Sequence, residues 1–146
     1  MATVRQVLNQ KSSDVYFVEP QDTILDALRL MAEKDIGAVL VMEDNQVKGI
    51  FSERDYARRT RLKGKTSDEP VRDVMTRTVY YISPDDSMEA CMAQMTDKHI
   101  RHLPVVEHGY VIGVISIGDV VKAIISNQKS LIEGLQNYIM GTETQF

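Results

Sequence analysis

The stretch "GIFSERD" at residues 49–55 returns as "GVISIGD" at residues 113–119, 64 positions later. Gly, Ser and Asp keep their places while every residue between them changes. Outward from this pair, residues 15–59 align with 79–123 without a gap, and 13 of the 45 positions are identical. Several of the others stay within a chemical class, such as Thr23 for Ser87 and Ile50 for Val114. Ordinary composition would give about three identities, so the chain carries a duplication and its fold is one unit built twice. The segments ahead also match, "VRQVL" at 4–8 and "VRDVM" at 71–75, with three more residues before the repeat body in the first copy.

Each copy follows one pattern. A β-run ("VYFV", 15–18; "VYYI", 79–82) leads through a Pro-containing turn to a helix. In that helix Ile24, Leu28 and Met31, or Met88, Met92 and Met95, fall at i, i+4, i+7 on one apolar face. Thr23 or Asp22, and Ser87 or Asp86, are placed to cap it. Two further β-runs are joined by the polar turns "EDNQ" and "EHGY", suited to hairpins. A second helix begins at Ser52 or Ser116. The expected fold is α/β (α+β), two β-α-β-β-α repeats at 1–60 and 70–126 with a linker at 61–69. Residues 127–146 form a helical extension, with Leu131, Ile132, Leu135 and Ile139 at helical spacing. Units of about 50 residues are marginal as independent cores, so the two sheets are expected to pack together about a pseudo-two-fold axis.

The chain has 146 residues, 43% hydrophobic and 26% charged, an ordinary globular balance. A net charge of -4 and the lack of Trp argue against nucleic acid as a partner. The longest apolar runs, Ala38–Met42 and Val111–Ile117, fall far short of a membrane span. The opening "MATVRQVLNQKSSD" is mixed and polar, unlike a signal segment, and the lone Cys91 excludes an internal disulfide. The expected compartment is the cytoplasm.

Ser-x-x-Asp after a strand has two readings. It is a capping box, Ser at the N-cap and Asp closing back on the backbone. It also suits a ligand: a helix N-terminus offers N–H groups to a phosphate, the preceding glycine admits close approach, and the carboxylate can accept from the vicinal hydroxyls of a ribose. In the second copy "HIRHLPVV" sets His99, Arg101 and His102 ahead of a strand, where cations suit phosphate oxygens or a solvated edge. A metal site at His99, His102 and His108 lacks a Cys, Asp or Glu set at zinc spacing. The basic run 52–65, with Arg54, Arg58 and Arg61 at i, i+4, i+7, reads as a solvated helix face, a phosphate contact or a surface for an acidic partner. Cys91 reads as a small packed residue, and no catalytic constellation is present.

The two repeats in register, covering about residues 1–125, resemble a tandem pair of CBS (cystathionine β-synthase) domains. The resemblance implies sheet-to-sheet packing, with two clefts for adenosine-containing ligands such as AMP, ADP, ATP, NAD or S-adenosylmethionine. It places the family's motif on Gly49, Ser52 and Asp55, and on Gly113, Ser116 and Asp119, with Ile117 and Gly118 inside the second copy. The Asp would hold ribose hydroxyls and the Ser the ribose or phosphate. Gly37 and Ala38, and Arg101 and His102, open the middle strands and would reach phosphates, with Leu103 and Pro104 beside them among the expected ligand-binding residues. Adenine would lie against Asp14, Val15 and Tyr16 or Thr78, Val79 and Tyr80. Arg54, where the second copy has Gly118, suits a second phosphate. The expectation is a non-catalytic sensor, a homodimer with an unknown client. The rivals are a purely structural dimerisation module and a nucleotide-processing enzyme using Asp119 or His102.

Overall fold

The computed structural model describes residues 2–11 and 14–144, with side chains through Met140. The chain opens with α1 (Val4–Gln10), started by a capping box between Thr3 and Gln6. Then follow β1 (Phe17–Val18), α2 (Ile24–Lys34), β2 (Ala38–Glu43) and β3 (Gln46–Ser52). A short α3 (Glu53–Asp55) runs into a π-helical segment, Tyr56–Arg61, and a 3₁₀ turn sits at Val71–Asp73. The second copy supplies α4 (Met88–Lys98), β4 (His102–Glu107), β5 (Tyr110–Ser116) and α5 (Ile117–Thr144). The first helix of the repeat and both strands of the hairpin recur 64 residues on, whereas the π-helical segment of the first copy is replaced by the continuous α5. In the second copy the first strand is reduced to a single parallel bridge, Ile82 with Val105.

The repetition reaches the backbone details. β2 pairs antiparallel with β3, with an irregularity between Val41 and Met42; β4 pairs with β5, with the same irregularity between Val105 and Val106. The hairpin turns hold Asp44 and Asn45, or His108 and Gly109, at positive φ, the conformation that fits a two-residue turn to strand twist. α2 and α4 both end on a left-handed residue, Asp35 or His99, whose N–H bonds back into the last turn. Of the two capping candidates in each copy, Thr23 and Ser87 are the caps. Asp22 and Asp86 brace the preceding turn instead, accepting from the N–H of Glu19 at 2.8 Å and of Ser83 at 3.0 Å.

The chain divides into two compact units that cut across the repeat boundaries. One comprises residues 14–80; the other joins 81–144 to the N-terminal residues 2–11. In the first, Val18, Ile24, Ala27, Met31, Val39, Val41 and Phe51 form a core with Val71, Val74 and Met75. The 61–69 stretch belongs to this unit: Glu69 and Ser67 carbonyls accept from the N–H groups of Ile24 and Leu25 at 3.0 and 2.8 Å. In the second, Val4 and Leu8 of α1 take the place that Val71 and Met75 hold in the first. Val4 N–H donates to Asp86 O, as Val71 N–H does to Asp22 O. The matching segments 4–8 and 71–75 are therefore arms, each packed on the repeat it does not adjoin as a leader.

Two expectations for the helices change. The apolar face of α4 buries Met88, Cys91 and Met95, while Met92 is 39% exposed. Burial raises the Cys91 thiol to a pKa of about 11, with Asp86 adding to the rise, which suits the packed role and leaves no thiolate at neutral pH. The extension after residue 126 is not a separate element: α5 runs unbroken for 28 residues, about 42 Å at 1.5 Å per residue. Residues 145 and 146 of the expected extension lie outside the described residues.

Candidate functional site

Both Ser-x-x-Asp motifs stand where an antiparallel strand pair delivers the chain into a helix. The pairing sets Ala38 opposite Ser52 and His102 opposite Ser116, so the residues opening the middle strand adjoin the motif in each unit. Both motifs form the capping box. Ser52 N–H donates to Asp55 Oδ2 at 2.9 Å and Asp55 N–H to Ser52 Oγ at 3.2 Å. Ser116 and Asp119 repeat the two distances.

The helix ends offer fewer N–H groups than expected. The N–H of Glu53 donates to Gly37 O at 3.1 Å, and that of Ile117 to Arg101 O at 2.8 Å. With Asp55 and Asp119 N–H held by the serines, two of the first three N–H groups are engaged in each unit. The glycines also serve another purpose. A Cβ on Gly49 would stand 2.7 Å from Met75 Sδ and from Thr76 O; one on Gly113 would stand 2.7 Å from Leu8 Cδ2. The bare backbone admits the arm, not a ligand.

The carboxylates differ in their further partners, none of which the motif announces. Asp55, 9% exposed, accepts from the Thr76 hydroxyl on Oδ1 at 2.9 Å, and Arg59 Nε stands 3.8 Å away. Arg59 also donates to Met75 O at 3.0 Å. Asp119 pairs instead with Lys11, whose Nζ lies 2.7 Å from Oδ2 and 3.0 Å from Val114 O. Burial pushes the Asp119 pKa up, but the Lys11 and Ser116 hydrogen bonds and the Lys11 charge outweigh it and hold it below the ordinary 3.8. Beside Asp119 a groove of about 550 Å³ runs between α1 and α5, lined by Lys11, Lys122, Gln6, Gln10 and Asn127 among others. Thr76 and Lys11 are carried by the two arms; the three-residue offset between arms and repeats was the one sign that the arms act independently.

Other expected site residues are more scattered. Val15, Tyr16, Thr78, Val79 and Tyr80 all belong to the 14–80 unit. The Tyr16 ring has Lys34 Nζ 5.2 Å from its centre. Leu103 and Pro104 are buried in β4, and Pro104 O accepts from Ile82 N–H at 3.0 Å. Arg54 and Gly118 occupy the same turn of α3 and α5, Arg54 half-buried and Gly118 exposed. The i, i+4, i+7 stripe of Arg54, Arg58 and Arg61 is broken by the π-helical segment, which changes the residues per turn. The histidine metal alternative fails on distance. His99 caps α4 and His108 turns the hairpin, at opposite ends of the six-residue β4, about 20 Å apart at 3.3 Å per residue.

A duplicated β-α-β-β-α unit with an arm and a capped carboxylate in each half defines a paired-repeat α/β module. The CBS domain family matches residues 4–61 and 71–126, and the chain belongs to that family as a tandem pair. It is 36% identical over 126 residues to the mitochondrial CBS domain-containing protein CBSX3 of Arabidopsis thaliana, covering 82% of this chain and 61% of the plant protein. A solved protein with CBS domains from Burkholderia ambifaria superposes with a TM-score of 0.83 at 45% identity, covering 87% of this chain and 96% of that one. The CBS domain pair of protein MJ0100, solved with 5'-methylthioadenosine and S-adenosyl-L-methionine, shares the fold at a TM-score of 0.76 and 18% identity, covering 87% and 98%. No helix among the described residues is long and apolar enough to cross a membrane.

Proposed function

We propose that the chain is a non-catalytic sensor of adenosine-containing ligands, AMP, ADP, ATP or NAD. The observation that carries this is the Ser116–Asp119 motif opening on a groove that holds a charged carboxylate, Asp119, and the ammonium of Lys122. Carboxylate and cation are the complement of a ribose phosphate. That the MJ0100 pair holds two adenosine compounds supports the ligand class. Arg54, in place of Gly118, gives the Asp55 motif a guanidinium for a second phosphate and favours a dinucleotide there. Isothermal calorimetry tests the reading. AMP should bind the parent, lose one site in Asp119→Ala, and keep its affinity in Arg54→Ala, while NAD weakens in Arg54→Ala. No heat with AMP, ATP, NAD or S-adenosylmethionine at millimolar concentration would overturn it.

The signal is a population shift: the ligand favours one arrangement of the pair, and a second copy or a client reads it. The second copy docks on α5, where Val121, Ile125, Ile132, Leu135 and Ile139 are 42–62% exposed at spacings of four, seven, three and four, with the polar Gln128 in the gap between Ile125 and Ile132. Ile at the a positions and Leu135 at d favour a two-stranded parallel pairing. Burying each such side chain contributes about 1.5–3 kcal/mol. The double variant Ile132→Glu, Leu135→Glu should sediment as a monomer where the parent sediments as a dimer; a monomeric parent would refute the pairing.

A further inference from the structure

We propose that Lys11 is a built-in competitor at the Asp119 site, its ammonium holding the carboxylate oxygen that a ribose hydroxyl would use, so that ligand entry requires Lys11 to leave. This rests on the adenosine reading above. Ser116 N–H at 2.9 Å and Lys11 Nζ at 2.7 Å both reach Asp119 Oδ2. One carboxylate oxygen has two lone pairs, so Oδ2 is saturated. A vicinal diol that places one hydroxyl on each oxygen can take Oδ1 but must displace a donor from Oδ2. Ser116 N–H is fixed by the capping box, whereas Lys11 is the movable one. It sits at the C-cap of α1 on a flexible side chain 37% exposed, and its ammonium can return to water.

The competitor exists in one unit only. Counting from Val4 against Val71, the residue in the place of Lys11 is Thr78. At Asp55 the donors beside the capping Ser52 N–H are two hydroxyls, Ser52 Oγ on Oδ2 at 3.1 Å and Thr76 Oγ1 on Oδ1 at 2.9 Å, each of which can rotate away, and Arg59 Nε stays beyond hydrogen-bond distance at 3.8 Å. Lys11 also belongs to the arm whose Leu8 packs on Gly113, so displacing it frees the end of the arm at the moment of binding. The low pKa of Asp119 keeps the pair charged throughout the neutral range.

Uncharged adenosine is the probe, because it separates competition for Asp119 from attraction to a phosphate. In an Asp55→Asn background, Lys11→Met should tighten adenosine roughly fivefold, the weight of a partly exposed ion pair. Adding Asp119→Asn should remove the gain. Unchanged or weaker adenosine binding overturns the proposal. So does weaker AMP with unchanged adenosine, which would make Lys11 a phosphate contact. If adenosine and AMP bind none of the proteins, the sensing reading itself falls; if they bind the parent and Lys11→Met adds nothing, only the competitor falls. A second measurement needs no variant. Acetylation of Lys11 in the parent, followed by mass spectrometry, should quicken when adenosine is added; a rate that stays constant under saturation overturns the displacement.

Discussion

Leu8→Ala should loosen the second repeat and leave the first intact, although Leu8 precedes the first in the chain. Met75→Ala should do the reverse. Leu8 and Met75 are 4% and 5% exposed, and each lies against the motif glycine of the unit it completes, Gly113 or Gly49. Truncating a buried Leu or Met to Ala costs about 2–5 kcal/mol, a large part of the 5–15 kcal/mol that typically holds a domain together. The arms are also tied by backbone. Val4 and Arg5 donate to Asp86 and Pro84, as Val71 and Arg72 donate to Asp22 and Pro20, at 2.8–3.1 Å. Amide hydrogen exchange reads the units separately. Protection at Val105 and Ile115 should fall in Leu8→Ala, and protection at Val41 and Phe51 in Met75→Ala. Equal loss in both units from either variant would refute the crossed arrangement.

Gly49→Ala should lower the melting temperature more than Gly113→Ala, although the two glycines hold equivalent places. The added Cβ at Gly49 meets a backbone oxygen, Thr76 O, at 2.7 Å, together with Met75 Sδ. The Thr76 segment cannot yield, because Thr76 N–H donates to Ile50 O at 2.8 Å and its hydroxyl holds Asp55. At Gly113 the same Cβ meets only the flexible end of Leu8. Overpacking of this kind costs about 1–3 kcal/mol, with Gly49→Ala at or above the upper end and Gly113→Ala near the lower. At about 4 °C per kcal/mol for a chain of this size, scanning calorimetry should separate the variants by several degrees. Equal shifts would mean that the Thr76 backbone moves freely and would remove this account of the motif glycine.

The same glycines show how far the motif can be read from the letters. Gly49 and Gly113 stand before Ser-x-x-Asp, and a glycine there suggests room for a ligand; the space is filled by the arm. Ser52 and Ser116 form the capping boxes that their spacing implies, because that spacing acts within one turn of helix. Thr76 and Lys11, which give the two carboxylates different surroundings, are 21 and 108 residues away from them. No local pattern marks such a partner. Met92 and Cys91 make the same point within α4. Both fit an apolar face at helical spacing, and which of them is buried depends on the strand packed beneath.

Periodicity and self-comparison were enough for the duplication, the β-α-β-β-α order, the hairpin turns and the capped start of each helix. These are short-range properties, set by steric preference and by hydrogen bonds a few residues apart, and they survive copying. Only the tertiary structure decided which repeat each arm completes, what fills the space beside each motif glycine, and why Asp119 meets an ammonium where Asp55 meets a hydroxyl. Those outcomes depend on contacts between segments distant in the chain, where apolar burial and charge pairing choose the partner.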